Sequence, residues 1–140
     1  MKINLTSAGL LCKLSIQHFI KCGGGRIINI ASRAAFRGDS EEYFAYAASK
    51  GGLVALTRTI ARAYGKNNIK AFIIAPGFVR TPMAEEYFKK HGEQSIINEL
   101  SLEKLTEPED IAPSVVFLAS GMMDHATGCT IDINAGSYVR

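Results

Sequence analysis

Apolar residues follow a helical repeat in the first part of the chain. Over residues 3–21 they recur at intervals of three and four, which predicts an amphipathic helix. We expect one face to contain Ile3, Ser7, Leu10, Leu11, Leu14 and His18, with Phe19 and Ile20 widening the apolar side. The glycine run at 23–25 predicts the end of this helix, because glycine adopts the left-handed cap conformation without strain. A phosphate-binding loop would follow a strand and precede a helix, which is the reverse order.

Short continuous apolar runs elsewhere predict strands. They are the segments 26–32, 69–75 and 129–134. The first two are typical of strands that are buried on both faces of a parallel sheet. A second helix is predicted between them, at 44–64, and a third runs to about residue 120.

The second helix has one broad face and two glycines inside it. The face contains Tyr46, Lys50, Leu53, Val54, Thr57, Ile60, Ala61 and Tyr64. Gly51 and Gly52 would each cost about 1 kcal/mol against alanine in a helix interior. We therefore expect another backbone to approach closely here, from a neighbouring helix or from a partner subunit.

More polar segments connect these elements. The predicted loop, turn and lid are residues 33–43, 65–68 and 78–105. A long insert after the carboxyl end of a strand is a typical position for a lid. Met83, Tyr87 and Phe88 in this lid suit either an apolar part of a substrate or packing within the lid itself.

The third helix opens on a sequence with the spacing of a capping box, Thr106 and Glu109. Pro113 lies inside this helix and is expected to kink it. Helices therefore alternate with apolar strands along the chain, and helix-length crossovers predict an α/β fold with a parallel sheet.

Several polar residues fall at one edge of the predicted sheet. Ligands of such sheets bind beyond the carboxyl ends of the strands. Ser32 ends the first strand, and Pro76 and Gly77 stop the second. Tyr46 would start its helix at the same edge, so three separate positions indicate one site.

Tyr46 and Lys50 are four residues apart and therefore share one face of their helix. The ammonium favours the phenolate, but lowering the pKa of a phenol from about 10 to about 7 needs roughly 4 kcal/mol. A charge ~4 Å away supplies that only in a covered pocket. Taken alone, the pair is equally consistent with a surface helix that carries an incidental tyrosine and lysine.

Composition narrows the class of protein. The 140 residues are enough for one domain, and 47% hydrophobic with 21% charged residues is ordinary for a soluble globular protein. A net charge of +3 without a basic cluster argues against nucleic-acid binding, and the chain lacks the ~20-residue apolar run of a membrane span. Three cysteines without a CxxC motif indicate reduced thiols in a cytoplasmic protein, and the three scattered histidines predict no metal site.

Together these motifs resemble the short-chain dehydrogenase/reductase family, a Rossmann-type group of nicotinamide oxidoreductases. The resemblance runs through essentially the whole chain, in order and spacing, and is nearest to reductases of the 3-oxoacyl type. The matching segments are residues 3–5, 25–32, 46–50, 76–82 and 117–120.

The resemblance implies a role for each site residue. Tyr46 would exchange a proton with the substrate oxygen, and Lys50 would lower the pKa of Tyr46 and bind the nicotinamide ribose. Ser32 would hydrogen-bond the substrate oxygen, and Asn4 would hold a water that links Lys50 to solvent. The segment matching the nicotinamide-binding stretch contributes Pro76, Gly77, Val79 and Thr81. The implied partners are NAD or NADP, a small carbonyl or alcohol substrate, and further subunits in a homodimer or homotetramer.

Other interpretations of single residues remain open. Asn4 could be a helix cap near the start of the chain, since asparagine is favoured there. Ser32 could simply end its strand, and Ser49 could only pack. Tyr43 is a second candidate tyrosine, but Ala47 stands four residues later where the motif requires lysine.

The sequence departs from the family at its beginning. It holds neither the glycine-rich turn that carries the cofactor pyrophosphate nor the residue that selects NAD or NADP. We therefore interpret residues 1–140 as the C-terminal part of a single Rossmann-type domain, without the first βαβαβ half. The strand at 26–32 should then expose an edge, and the pocket should be open to water.

Two functions follow as hypotheses. One is a nicotinamide-dependent oxidoreductase, with the isolated chain inactive or weak in cofactor binding. The alternative is a non-catalytic fragment that acts only through subunit association, using the helices at 3–21 and 44–64 or the last strand. A serine hydrolase is disfavoured because the chain has no G-x-S-x-G motif.

Overall fold

Three parallel strands form the sheet at the centre of the molecule. The computed structural model describes residues 1–140, apart from the side chain of Met83. The strands are β1 (Gly25–Ile30), β2 (Ile69–Pro76) and β3 (Thr130–Ile133), arranged in that order across the sheet. Ile27 lies opposite Ala71 in the first pair of strands. The predicted parallel α/β fold is confirmed.

Helices connect and cover these strands. They are α1 (Ala8–Cys22), α2 (Ala34–Arg37), α3 (Phe44–Tyr64), α4 (Pro82–His91), α5 (Glu93–Ile97) and α6 (Pro108–Ala119). A π-helical segment, Lys2–Ser7, leads into α1. The predicted helix at 44–64 is confirmed at both ends. The predicted loop at 33–43 is wrong in part, because it contains α2 and a 3₁₀ turn at Glu41–Tyr43.

The strand β2 is the centre of the core. All its residues except Lys70 are buried, as expected for a strand covered on both faces. One face packs against Cys12, Ile16 and Ile60 from α1 and α3, and the other against Leu118 of α6.

β1 lies at an edge of the sheet and pairs only with β2. Of its side chains, Ile27 is buried and Ile30 is exposed. Helices cover both faces, since Ile27 packs against α1 and α3 and Ile28 packs on the side of α6, but most of the strand is only half-buried. The prediction that this strand is buried on both faces is therefore wrong in part, whereas the expected exposed edge is present.

The apolar face predicted for the first helix points away from the core. Cys12 and Ile16 are buried, while Leu10, Leu11 and Leu14 are 58%, 65% and 61% exposed. Both sides of this helix carry apolar residues, so periodicity alone could not tell which side the sheet covers.

The capping box of α6 is shifted by one residue from the predicted pair. Glu107 is the cap, and its backbone N–H donates to the Asp110 carboxylate at 2.8 Å. Thr106 cannot serve as the cap because it bridges to Val79, and its carbonyl accepts a hydrogen bond from the Arg80 N–H at 2.9 Å.

Gly52 is approached by a neighbouring helix, but through a side chain rather than a backbone. A Cβ placed on Gly52 would lie 2.8 Å from Cδ2 of Leu5 in the π-helical segment. A Cβ on Gly51 would make only an ordinary contact, 3.9 Å from the carbonyl oxygen of Ala35. Within the described residues, no helix has the length and apolar character needed to span a membrane.

Candidate active site

A cavity of about 380 Å³ lies at the carboxyl ends of β1 and β2, where the sequence predicts the site. Its volume is in the range typical of small-molecule pockets. The predicted site residues in its wall are Ser32, Tyr46, Lys50, Pro76, Gly77, Val79 and Thr81.

Tyr46 and Lys50 occupy the first two turns of α3 and face this cavity together. The Lys50 Nζ atom lies 5.7 Å from the centroid of the Tyr46 ring and donates a hydrogen bond to the Ile30 carbonyl at 2.9 Å. Burial lowers the pKa of Lys50. Tyr46 is 36% exposed, so its side of the cavity is open to solvent.

Two serines near this pair are buried but serve different contacts. The Ser32 hydroxyl accepts a hydrogen bond from the Ala34 N–H at 3.2 Å, at the start of α2, and Ser32 lines the cavity. Ser49 is fully buried and donates to the Tyr46 carbonyl at 2.7 Å. Ser49 therefore packs within the first two turns of α3, the part of the helix that contains Tyr46.

The segment after β2 forms the opposite wall. The Gly77 N–H donates to the Ile133 carbonyl at 2.9 Å, and a Cβ on Gly77 would lie 2.8 Å from Cβ of Asn134. A larger residue at position 77 would collide with Asn134, which explains why glycine stands there. The backbone of Gly77 lies at the cavity surface. Thr81 caps α4 by accepting a hydrogen bond from the Ala84 N–H at 3.3 Å.

Asn4 is not part of the cavity wall. It lies inside the π-helical segment, whose cap is Met1, so the interpretation of Asn4 as a helix cap is wrong. The neighbouring Leu5 contacts Gly52, two residues beyond Lys50, and so connects this segment to the helix that carries the pair. Short π-helical segments often occur at functional sites.

The lid residues separate into two groups. Tyr87 lines the cavity and stacks on His91, with 4.3 Å between the ring centroids. Phe88 is buried among Ile96 and other lid residues, which supports packing within the lid for this side chain. The side chain of Met83 lies outside the described part of the structure.

Sequence reasoning missed several residues of the cavity wall. They are Arg33, Arg37 and Asp39, all from the segment predicted to be a loop. Arg33 directly follows Ser32, which ends the predicted strand, and this position beside a predicted site residue indicates that Arg33 lies near the site. Tyr43 lacks the lysine that the motif requires four residues later, but it also lines this cavity.

The chain matches known proteins over nearly its full length. A family model described as Enoyl-(Acyl carrier protein) reductase matches residues 1–138. The 3-oxoacyl-[acyl-carrier-protein] reductase FabG of Aquifex aeolicus is 33% identical over 142 residues, which cover 99% of this chain and 55% of the relative. The 7alpha-hydroxysteroid dehydrogenase of Bacteroides fragilis is 35% identical over 138 residues, covering 99% of this chain and 53% of the relative.

A solved structure shows the same fold. A crystal structure titled ribose-5-phosphate isomerase from Brucella melitensis 16M superposes with a TM-score of 0.90 at 31% identity, over 97% of this chain and 52% of the other. This title names an isomerase, whereas the names of the two relatives are those of a reductase and a dehydrogenase. The shared fold alone therefore does not assign the reaction. The chain spans about half the length of these proteins. From the family model and these relatives, the chain belongs to the short-chain dehydrogenase/reductase family of oxidoreductases.

Proposed function

We propose that this chain carries the proton-transfer part of an NAD(P)-dependent oxidoreductase that interconverts carbonyl and alcohol substrates. One observation supports this most directly. Ser32 after β1 and the pair Tyr46 and Lys50 on α3 line one cavity at the carboxyl edge of a parallel sheet.

In this proposal each residue acts on one atom of the substrate. During reduction the Tyr46 hydroxyl gives its proton to the carbonyl oxygen, and during oxidation the phenolate takes a proton from the alcohol. The Ser32 hydroxyl donates a hydrogen bond to the same oxygen and stabilises the negative charge that develops there. The Lys50 ammonium favours the phenolate form of Tyr46.

The residues present fit the nicotinamide end of the cofactor. Lys50 uses one of its three donors on the Ile30 carbonyl, so the others are free for ribose hydroxyls. Gly77 presents backbone at the cavity wall, beside Pro76, Val79 and Thr81. When bound, a nicotinamide supplies or accepts the hydride at the substrate carbon. We further propose that Asn4, through the π-helical segment that packs on α3, holds a water for proton relay from Lys50.

A second candidate function is association without catalysis. The exposed leucines of α1 and the exposed Phe44 at the start of α3 support it, because large apolar surface on a protein often marks a subunit contact. The DNA upstream of the Met1 codon separates the two candidates. An in-frame glycine-rich turn there favours the enzyme, and an upstream stop codon favours association.

We expect the 140 residues alone to bind NADH and NADPH weakly or not at all. The sequence holds no glycine-rich turn for the pyrophosphate, and Tyr46 is open to solvent. Calorimetric titration with each cofactor tests this expectation. Binding in the micromolar range would contradict it.

Tyr46→Phe should lower turnover about 100-fold or more, because it removes the proton that general acid catalysis supplies. The measurement needs an active protein, such as this chain joined to the part of the Aquifex aeolicus relative that it does not match. Tyr43→Phe is the matched control in the same cavity and should retain activity. Near-normal turnover of the Tyr46→Phe protein, with its melting temperature unchanged, would remove Tyr46 from this role.

A further inference from the structure

Arg33 is a buried cation in the wall of the cavity, at the residue after Ser32. It is 4% exposed, and its Nη1 atom has no hydrogen-bond partner among the described residues. Its backbone is held in place, because its N–H donates to the Pro76 carbonyl at 2.9 Å and its carbonyl accepts from Phe36 and Arg37. Burying a guanidinium without a full set of hydrogen-bond partners costs free energy of folding, so such a position is unusual.

The groups around the Arg33 guanidinium, an aromatic ring and a distant carboxylate, stabilise its positive charge only weakly. The guanidinium carbon lies 4.5 Å from the centroid of the Phe78 ring, a cation–π contact. The carboxylate nearest to it among the described residues is that of Glu99, whose Oε2 is 3.9 Å from Nη2 and whose side chain is 54% exposed. That distance is too long for a hydrogen bond. Burial and the positive charge of Arg37 lower the pKa of Arg33, so the cation is less stable here than in water.

The cavity as a whole is positive. Arg33, Arg37 and Lys50 line it, and Asp39 is the carboxylate in the described part of its wall. The Lys50 ammonium is engaged with the Ile30 carbonyl on the side of β1. Arg33 packs instead against Phe78, on the side of the lid, so the two cations serve different parts of the cavity.

We propose that the cavity takes substrates with an anionic group, a carboxylate or a phosphate, which pairs with Arg33. Arginine binds both groups through two parallel hydrogen bonds, and such a pair would satisfy the unpartnered Nη1. Engagement requires the guanidinium to turn from Glu99 into the cavity, a movement of the side chain alone because the backbone is held. The assignment of this anion to a substrate rests on the proposed function. In that proposal Ser32, the residue before Arg33, holds the reacting oxygen of the substrate.

The experiment measures anion binding to this chain without cofactor. Arginine side-chain Nε resonances are followed by NMR during titration with sodium acetate and, separately, sodium phosphate, with sodium chloride at matched ionic strength as reference. The Arg33 resonance should shift and saturate with acetate, with phosphate or with both, and the exposed Arg62 should not. The two titrations distinguish a carboxylate site from a phosphate site.

Arg33→Met should weaken this binding by at least about tenfold, measured by calorimetric titration of parent and variant with the same salts, because the change removes a charge-assisted pair of hydrogen bonds. Arg62→Met is the control and should bind as the parent does. A shift of Arg33 that does not saturate, or that chloride reproduces, overturns the proposal. That result remains decisive if the Arg33→Met protein fails to fold, because it is read on the parent chain. Saturable binding together with an active Tyr46→Phe enzyme would instead retain the anion site and reject the proposed function.

Discussion

The carboxylate of Asp124 connects the turn in which it lies to two strands of the sheet. Its carboxylate accepts from Arg26 at 2.7 and 2.8 Å and lies 3.2 Å from the Lys70 ammonium. These bonds, chiefly those from Arg26, lower the pKa of Asp124 to about 2. The contact ties β1 and β2 to the 3₁₀ turn at Asp124–Ala126, close to the start of both strands.

Asp124→Asn should destabilise the protein at neutral pH. The pKa of Asp124 is about 2 in the folded state and about 3.9 in an unfolded chain, so the carboxylate contributes stability above pH ~4. This contribution is lost as the pH falls from about 4 through about 2. Urea unfolding at pH 7 should show a lower midpoint for the variant, and the difference should shrink as the pH is lowered and disappear below pH ~2. Glu86→Gln, on the exposed side of α4, should show no such pH dependence, and equal effects of both variants would contradict the prediction.

At the scale of elements, the connection from α1 into β1 depends on a glycine for steric reasons. Gly25 begins the strand, and a Cβ at this position would lie 2.3 Å from the Phe19 ring. Its φ is not in the left-handed region, so the requirement is space rather than backbone freedom. Phe19 packs beside Cys12 and Ile16 and closes this end of the core.

Gly25→Ala should therefore lower the free energy of unfolding by about 1–3 kcal/mol, the usual cost of overpacking. Gly65→Ala is the matched control at the end of α3, where a Cβ meets nothing within 4 Å and the backbone is already helical. We expect that control to stabilise by about 0.4–1 kcal/mol, because alanine restricts the unfolded chain. Chemical unfolding of both variants checks the pair, and equal effects would show that Phe19 does not confine Gly25.

For the molecule as a whole, two surfaces of the described residues have no partner within the chain. The outer backbone of β1 carries no neighbouring strand, and α1 exposes a row of leucines on the side away from the sheet. An exposed strand edge and an exposed apolar stripe both favour association.

We expect the chain to self-associate at micromolar concentrations through this stripe. The double change Leu10→Lys and Leu14→Lys should shift it toward monomer, because burying two ammonium groups in a contact is costly. Val116→Lys, equally exposed on α6 across the sheet, is the control and should leave association unchanged. Sedimentation velocity measures the outcome. A parent chain that stays monomeric, or an associated double variant, would contradict the role of the stripe.

Local patterns along the chain were enough to locate the main elements and the edge of the sheet at which the site lies. The helix at 44–64 and the strand at 69–75 were predictable because periodicity and continuous apolar runs are local properties of the chain. The resemblance also indicated the set of residues around Tyr46 and Lys50, whose roles stay predictions.

Which surfaces are covered followed from the packing of distant segments and could not be predicted from the chain. This packing placed Cys12 rather than Leu14 against the sheet, left β1 at an edge and buried Arg33 in a segment that looked like a polar loop. Each of these outcomes depends on what packs from elsewhere in the chain. A pattern within one segment shows that a face can be buried, whereas contact with distant residues decides whether it is.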